Sequence, residues 1–278
     1  MDLTTKIDLD LKDRIKLEKA YSKGMTDHAG VKATRVRIYD SNGKLVNEGH
    51  NKIILSGAEF AVSKYFEPLS RVEKITPTYN AALGLDNTLD TTPTSPEYVY
   101  LFCVGTSGCG KDPSQVYESR YEEWTKPEDL VPFLYVDKDN DIIDSLRNTY
   151  YGRRESGTKI AYYFKKPENI DNPDYIRQYV DGTPIDSNVF NSSRTDRIIT
   201  MVQLRMKVLK NETRSFFRNT TGINSAKMNT ISLCTAWPKL IDGKVYYQNI
   251  RPLTRYNFPT IPLIEAELGY DVKYDLFF

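Results

Sequence analysis

The chain has 278 residues, 40% of them hydrophobic and 27% charged, with a formal net charge of +1. This is the composition of an ordinary globular protein of one large or two small domains, and so balanced a charge excludes a broad pull toward nucleic acid or anionic membrane. Three cysteines with no C-x-x-C pair and only two histidines, His28 and His50, argue against a zinc site and for reduced thiols made in a cytosol.

No stretch has the apolar length of a membrane span, and the charged N-terminus, MDLTTKIDLDLKDRIKLEK, is not the pattern of a secretory signal. Tyrosine is the outlier, with 20 copies. Its ring packs while its hydroxyl stays wet, which suits subunit contacts and ordinary β-strands alike.

Residues 1–30 read as an arm. Ile7, Leu9, Leu11, Ile15 and Leu17 stand among charges, with too little apolar surface for a core of their own. Such a segment either orders against a neighbouring subunit or stays a solvated tail. Val31 to Asp40 is a β-branched strand, Ser41-Asn42-Gly43-Lys44 a hairpin turn, and Leu45 to Asn51 the return strand. Ser56, with Glu59 three residues on, opens a helix that carries Phe60, Ala61, Lys64 and Tyr65 and ends at Pro68. Residues 76–96 form a long loop with three prolines, of the kind that is functional or interfacial.

Tyr98 to Val104 is an apolar strand that runs into a glycine loop, Gly105-Thr106-Ser107-Gly108-Cys109-Gly110. Asp112, Pro113 and Gln115 then carry helix-start signals. Gly105 to Lys111 matches a phosphate-binding loop until Asp112, which stands where a Ser or Thr should hold magnesium. A carboxylate there repels phosphate. Val131 to Asp137 imitates the second nucleotide motif but lies too close, and Pro132 argues against a central strand. A glycine turn that lets the strand reverse and a helix begin is therefore the preferred reading, with a nucleotide site as its competitor.

Asp137, Asp139, Asp141 and Asp144 crowd together. The first three have calcium-loop spacing, yet Ile142 replaces the required glycine and Asn148 the distal glutamate, so a solvated acidic turn is expected. Glu122-Glu123 and Glu128-Asp129 lack an apolar setting and read as solvated carboxylates. Cys109 has no histidine near it in sequence to activate it as a nucleophile. No catalytic, cofactor-binding or metal-ligating residue emerges.

Lys159 to Lys165 alternates, with Ile160, Tyr162 and Phe164 on one face. Residues 166–193 are a polar insertion with turns at Asn172-Pro173 and Thr183-Pro184. Arg197 to Lys210 is the clearest strand. Ile198, Thr200, Val202, Leu204, Met206 and Val208 face one way, and Gln203, Arg205 and Lys207 the other. Met228 to Trp237 and Lys244 to Ile250 are strands joined through an Asp242-Gly243 turn. At the C-terminus Leu268, Tyr270, Val272, Tyr274, Leu276 and Phe278 alternate with Gly269, Asp271, Lys273, Asp275 and Phe277, the pattern of a strand pinned in a sheet. Together these elements predict a mainly β fold with a few helices: an antiparallel β-sandwich-like core over 31–278, with the 1–30 arm and long loops.

Four segments in this order resemble structural proteins of tailed-bacteriophage tails, necks and baseplates. They are Asn51-Lys52-Ile53-Ile54-Leu55-Ser56-Gly57-Ala58-Glu59-Phe60, the loop Val104-Gly105-Thr106-Ser107-Gly108, Leu253-Thr254-Arg255-Tyr256-Asn257-Phe258-Pro259, and the closing strand Gly269 to Phe278. The Asn, Lys and Tyr bias is similar to that of contractile-tailed phages of low-GC Gram-positive hosts. The resemblance implies a non-enzymatic virion subunit, assembled in the host cytoplasm as a homo-oligomeric ring or collar at the head–tail junction, of neck or tail-terminator type. Six-fold symmetry is what the family suggests, with neck, tail-tube or sheath proteins as partners and neither membrane nor sequence-specific nucleic acid. A baseplate or fibre-attachment subunit is the alternative within the family.

Overall fold

The computed structural model describes residues 33–53, 97–118, 124, 126–139, 149–179, 183–185, 198–241, 244–263 and 269–277. The 1–30 arm, the helix expected after Ser56 and the 76–96 loop lie outside these residues, as do Glu122-Glu123, Asp141, Asp144 and the Asp242-Gly243 turn.

Two antiparallel sheets pack face to face, the β-sandwich-like core that the alternation implies. The first has the order β2(Leu45–Gly49), β1(Ala33–Asp40), β12(Gly269–Phe277), β9(Ile198–Leu209), β8(Asp174–Tyr179). The second runs β3(Lys52–Ile53), β11(Lys244–Pro262), β10(Lys227–Ile241), β4(Tyr98–Gly105), β7(Lys159–Lys165), β5(Leu134–Asp137), with β6(Tyr150–Ser156) also paired to β7.

The Asn-Gly signal produces the first hairpin: Asp40 N–H donates to the Lys44 carbonyl, and the Asp40 carboxylate accepts from Asn42 and Lys44 N–H groups. The last strand, β12, is central. It lies between β1, with Val36 opposite Tyr274, and β9, with Tyr274 opposite Leu204. Tyr270, Val272, Tyr274 and Leu276 face the other sheet and are buried with Val36, Ile38, Leu204, Met206, Phe102, Ile231, Leu233 and Phe258.

The alternation rule fails where both faces of a strand are covered. Asp271 and Lys273 are exposed as expected, but Asp275 and Phe277 are buried on the outer face. There Asp275 accepts from Arg37 Nη2 (2.7 Å) and from Gln203 Nε2 (2.7 Å), so a charge inside the fold is paired and hydrogen-bonded. In β9 the core face holds from Val202 to Val208. Toward its start Ile198 is exposed while Ile199 and Met201 are buried on the opposite side. In β7, Ile160 and Tyr162 share one cluster, but Phe164 packs with Trp124 in a second core on the outer face of its sheet, with Leu101, Cys103, Cys234 and Tyr247.

Two other expectations are corrected, and one element was not foreseen. Residues 111–118 form no helix: Asp112 accepts from Ser114, Gly110 N–H reaches the Gln115 carbonyl, and Cys109 bridges Val116, so the chain doubles back as a tight turn. Asp112 bonds its own turn instead of capping a helix. The polar 166–193 segment contains the edge strand β8, an integral part of the first sheet. Among the described residues the one α-helix, α1(Arg214–Thr220), was not expected from sequence; its N-cap Thr213 makes no side-chain cap hydrogen bond, and it is held by Phe217 in the core and by Phe216 against the Tyr135 ring.

Among the described residues, more tyrosines are buried than exposed. Tyr151, Tyr162, Tyr163, Tyr179, Tyr247, Tyr256, Tyr270 and Tyr274 are buried, whereas Tyr98, Tyr117 and Tyr175 are exposed.

Burial of β12 fixes one expected outcome. Removing 269–278 takes away the strand that joins β1 to β9 and five buried apolar side chains, each contributing about 1.5–3 kcal/mol. The truncated chain should show no cooperative melt by circular dichroism. The buried tyrosines fix another. Burial pushes the Tyr247 and Tyr256 hydroxyls up to about 12 from their usual 10. Because the folded pKa is raised, their contribution is full below pH 10, where both states hold the proton. It is lost between pH 10 and 12, as the unfolded chain alone ionises. Burial also raises the Cys234 thiol, so melting temperature should begin to fall above about pH 9 and fall more steeply above 10, the steeper part being reduced in Tyr256→Phe.

Candidate functional site

Glycine at 105 and 108 is required by close approach. A Cβ on Gly105 would sit 2.3 Å from the Asp129 carbonyl oxygen, and one on Gly108 would sit 2.0 Å from that of Asn229. The end of β4 therefore lies directly against the 128–129 backbone and β10. Thr106 N–H donates to Glu128 O (2.8 Å), Gly108 N–H to Asn229 Oδ1 (2.7 Å) and Gly110 N–H to Gln115 O (3.0 Å).

Pro127 opens a single 3-10 turn, Pro127–Asp129, whose last residue folds its carboxylate back so that Oδ2 accepts from the Lys126 N–H (2.9 Å). The other oxygen, Oδ1, accepts from Ser107 Oγ and from Arg255 Nη2 of β11. Arg255 Nη2 also reaches Ser107 Oγ (2.5 Å), and its Nε points at Asn257 Oδ1 (3.4 Å). Asn257 accepts from Thr230 Oγ1 (3.0 Å) and donates to the Tyr117 carbonyl (3.1 Å). Asp129 and Arg255 are 3% and 6% exposed, so this is a buried charge pair. The space left beside it, about 20 Å³ and lined by Ser107, Tyr117, Glu118, Lys126, Asp129, Arg255 and Asn257, suits one water.

Arg255 is flanked by contacts to two further parts of the chain. Lys52 and Ile53 of β3 pair with Arg255 and Thr254. Thr254, pointing the opposite way from Arg255, meets the Tyr274 hydroxyl of β12 between the sheets. Burial drives that hydroxyl's pKa well above the usual range.

A second polar cluster joins the sheets at the other edge. Glu212 Oε1 accepts from Lys165 Nζ (2.6 Å) and Tyr150 OH (2.8 Å), and its Oε2 accepts from Leu209 N–H (2.7 Å). Lys165 also donates to the Lys207 carbonyl (2.8 Å) and lies 5.5 Å from the Phe133 ring centre. Burial, then the Glu212 charge, raises the Tyr150 pKa. Next in the chain, Thr213 takes φ +62°, a strained setting for a β-branched residue, and helix α1 starts there.

The structure scatters the other residues weighed from sequence. Lys111 and Asp112 are exposed. Cys109 is buried and its thiol meets the Phe258 carbonyl (3.1 Å), while Cys103 and Cys234 lie buried with their sulfurs 3.9 Å apart. His50 Nδ1 is 2.8 Å from the Thr34 carbonyl oxygen. Asp137 pairs with Lys159 (2.8 Å) on the surface of edge strand β5, and Asp139 is exposed. Glu128 is exposed, but Asp129 is not the solvated carboxylate its sequence implied. The apolar run that follows it, Leu130-Val131-Pro132-Phe133, is buried and carries it inward. Nothing local in sequence marks Glu212, Lys165 or Tyr150, which lie far apart in the chain.

Among the described residues no helix is long and apolar enough to cross a membrane, and no group of three or more His, Cys, Asp or Glu side chains is placed to hold a metal ion. Comparison of the chain with protein-family models, with curated proteins and with solved structures gives no match.

Breaking the buried pair leaves an uncompensated charge. Arg255→Ala should lower unfolding free energy by about 3–5 kcal/mol. The paired replacement Arg255→Met with Asp129→Leu should lose clearly less, both read by urea denaturation.

Proposed function

We propose that the chain is a non-enzymatic structural subunit of a tailed-phage virion, forming an oligomeric ring or collar at the head–tail junction as a neck or tail-terminator component. The observation that carries this reading is convergence. The four segments that resemble phage tail and neck proteins are far apart in sequence, yet each contributes to one place. Lys52-Ile53 pairs with Thr254-Arg255, the glycine loop gives Ser107 to Arg255, and the closing strand gives Tyr274 to Thr254. Segments with an architectural role are expected to adjoin one another, and the contact among these supports that reading.

The chemistry of the glycine loop fits the same reading. A phosphate loop needs backbone amides turned toward its ligand and a helix behind them. Here the Thr106, Gly108 and Gly110 amides donate to protein acceptors, and a tight turn follows. The polar groups around Asp129 bond one another and act as a fastening, which is what a scaffold subunit requires.

Mass spectrometry of purified virions should find this chain at a fixed copy number. Full-length protein should sediment as an oligomer. Removing 1–23 should leave the melting temperature within a few degrees while weakening assembly. Absence from virions, together with a strict monomer at high concentration, would overturn the proposal.

A further inference from the structure

Lys165 and Glu212 are the one lysine–carboxylate pair among the described residues that is buried on both sides. Their exposures are 8% and 4%. By contrast, Lys138–Glu155, Lys159–Asp137 and Lys207–Asp271 leave 26% or more of every side chain exposed. The Arg255–Asp129 pair is equally buried, but a guanidinium that never gives up its proton is no nucleophile. A lysine amine is one.

The amine is fixed in place. Lys165 Nζ stands 2.6 Å from Glu212 Oε1 and 2.8 Å from the Lys207 carbonyl oxygen, with the Phe133 and Tyr150 ring centres 5.5 and 5.9 Å away. The carboxyl is held as firmly. Leu209 N–H donates to Oε2 (2.7 Å) and Tyr150 OH to Oε1 (2.8 Å). The Glu212 N–H donates to the Leu209 carbonyl (3.0 Å), and the Glu212 carbonyl accepts from the Arg214 N–H (2.7 Å). Thr213 beside it takes φ +62°, a conformation that a β-branched residue keeps only where its surroundings over-determine it. Holding both reactants in one geometry makes their encounter effectively unimolecular.

These groups stand where amide formation needs them. Proton transfer from Nζ to Glu212 gives a free amine and a neutral carboxylic acid, a pair with no charge left to desolvate. The Nζ lone pair then attacks Cδ. Negative charge develops on Oε2, where the Leu209 N–H already points. The bond from Cδ to Oε1 breaks, and Oε1 leaves as water with the hydrogen it took from Nζ and a second one from the same nitrogen. Tyr150, whose proton is held on by burial and then by the Glu212 charge, donates its hydrogen bond to that departing oxygen. One C–N bond replaces one C–O bond, one water is released, and no oxidant or cofactor takes part. A hollow of about 340 Å³ lined by Tyr150 and Glu212, with exposed Leu209 and Asn211 at its rim, gives the water a way out.

We infer that Lys165 and Glu212 condense into an intramolecular amide, and that the ion pair is its reactant state. The bond joins the end of β7 in one sheet to the link after β9 in the other, across 47 residues of sequence. It turns a separable contact between the layers into a covalent one. The inference goes beyond the assembly reading and does not depend on it.

Mass spectrometry of the full-length protein tests it. The chain, incubated in its folded form and denatured only for measurement, should weigh one water less than its sequence requires. Proteolysis should release a branched peptide that joins the Lys165 and Glu212 segments. Lys165→Arg keeps the cation but lacks the nucleophilic amine, and should show the full mass. Tyr150→Phe keeps the ring and loses the proton donor, so a larger share of freshly purified chain should remain at full mass. A wild-type chain that stays at full mass after prolonged incubation would overturn the proposal, and so would a water loss that maps to other residues. Both decisive readouts come from the wild type, so a variant that fails to fold does not weaken the test.

Discussion

The buried pair between Arg255 and Asp129 is the constraint on which the rest of this structure turns. The chain leaves the sheet after Gly105 at the end of β4, and Val131 lies back beside it, its N–H bonding the Val104 carbonyl (2.8 Å). Such an excursion needs something to hold it against the sheet. The Asp129 carboxylate does so by accepting from Lys126, Ser107 and Arg255 at once, from the turn, the loop and β11. Desolvating both ions is costly, and their attraction offsets the cost only because the remaining lone pairs are filled. The pair therefore contributes less to net stability than to specifying one arrangement of the excursion.

Position within β11 extends that constraint. Successive residues of a strand face opposite ways, so Thr254 and Arg255 can bond to both sides of their sheet. Arg255 holds the glycine loop outside, and Thr254 meets Tyr274 of the opposing sheet inside. A two-residue stretch thus couples the loop, β3, and the interface between layers. The Lys165–Glu212–Tyr150 cluster performs an equivalent task at the other edge, tying β6, β7 and the link after β9. Both are buried charge pairs whose partners come from distant parts of the chain, which makes them poor alternatives for a misfolded state.

How much of this was legible follows from the range of the signals. Period-two alternation in β12, the Asn-Gly turn after β1 and the apolar run of β4 are local, and each became the element it implied. What needed knowledge of a second layer was missed. Asp275 looked solvated because its neighbours Asp271 and Lys273 are, yet it lies under cover beside Arg37 and Gln203. Asp129 looked solvated because Glu128 is beside it. The helix signals at Asp112 and Pro113 were outweighed by Asp112 bonding Ser114, which closes a turn with the same residue types that cap a helix. Of the site, the glycine loop and Arg255 were both visible as short patterns. Their meeting was not, since 148 residues separate Ser107 from Arg255.

The edges of the sandwich bear on how such a fold can join others. Exposed strand edges invite pairing with other chains, and this chain blunts several of them. The free side of β8 is occupied by 183–185, where Gln178 bridges Pro184 and the Tyr179 N–H meets Thr183, while Glu168 and Asn169 take up the Arg205 backbone beyond it. Strand β5 is four residues long, follows Pro132 and carries Asp137 paired to Lys159. Strand β2 is short, its pairing shifts at Ile38–Tyr39, and Glu48 on it pairs with Arg35. Edge-to-edge extension is thus disfavoured at three of the places where it would begin.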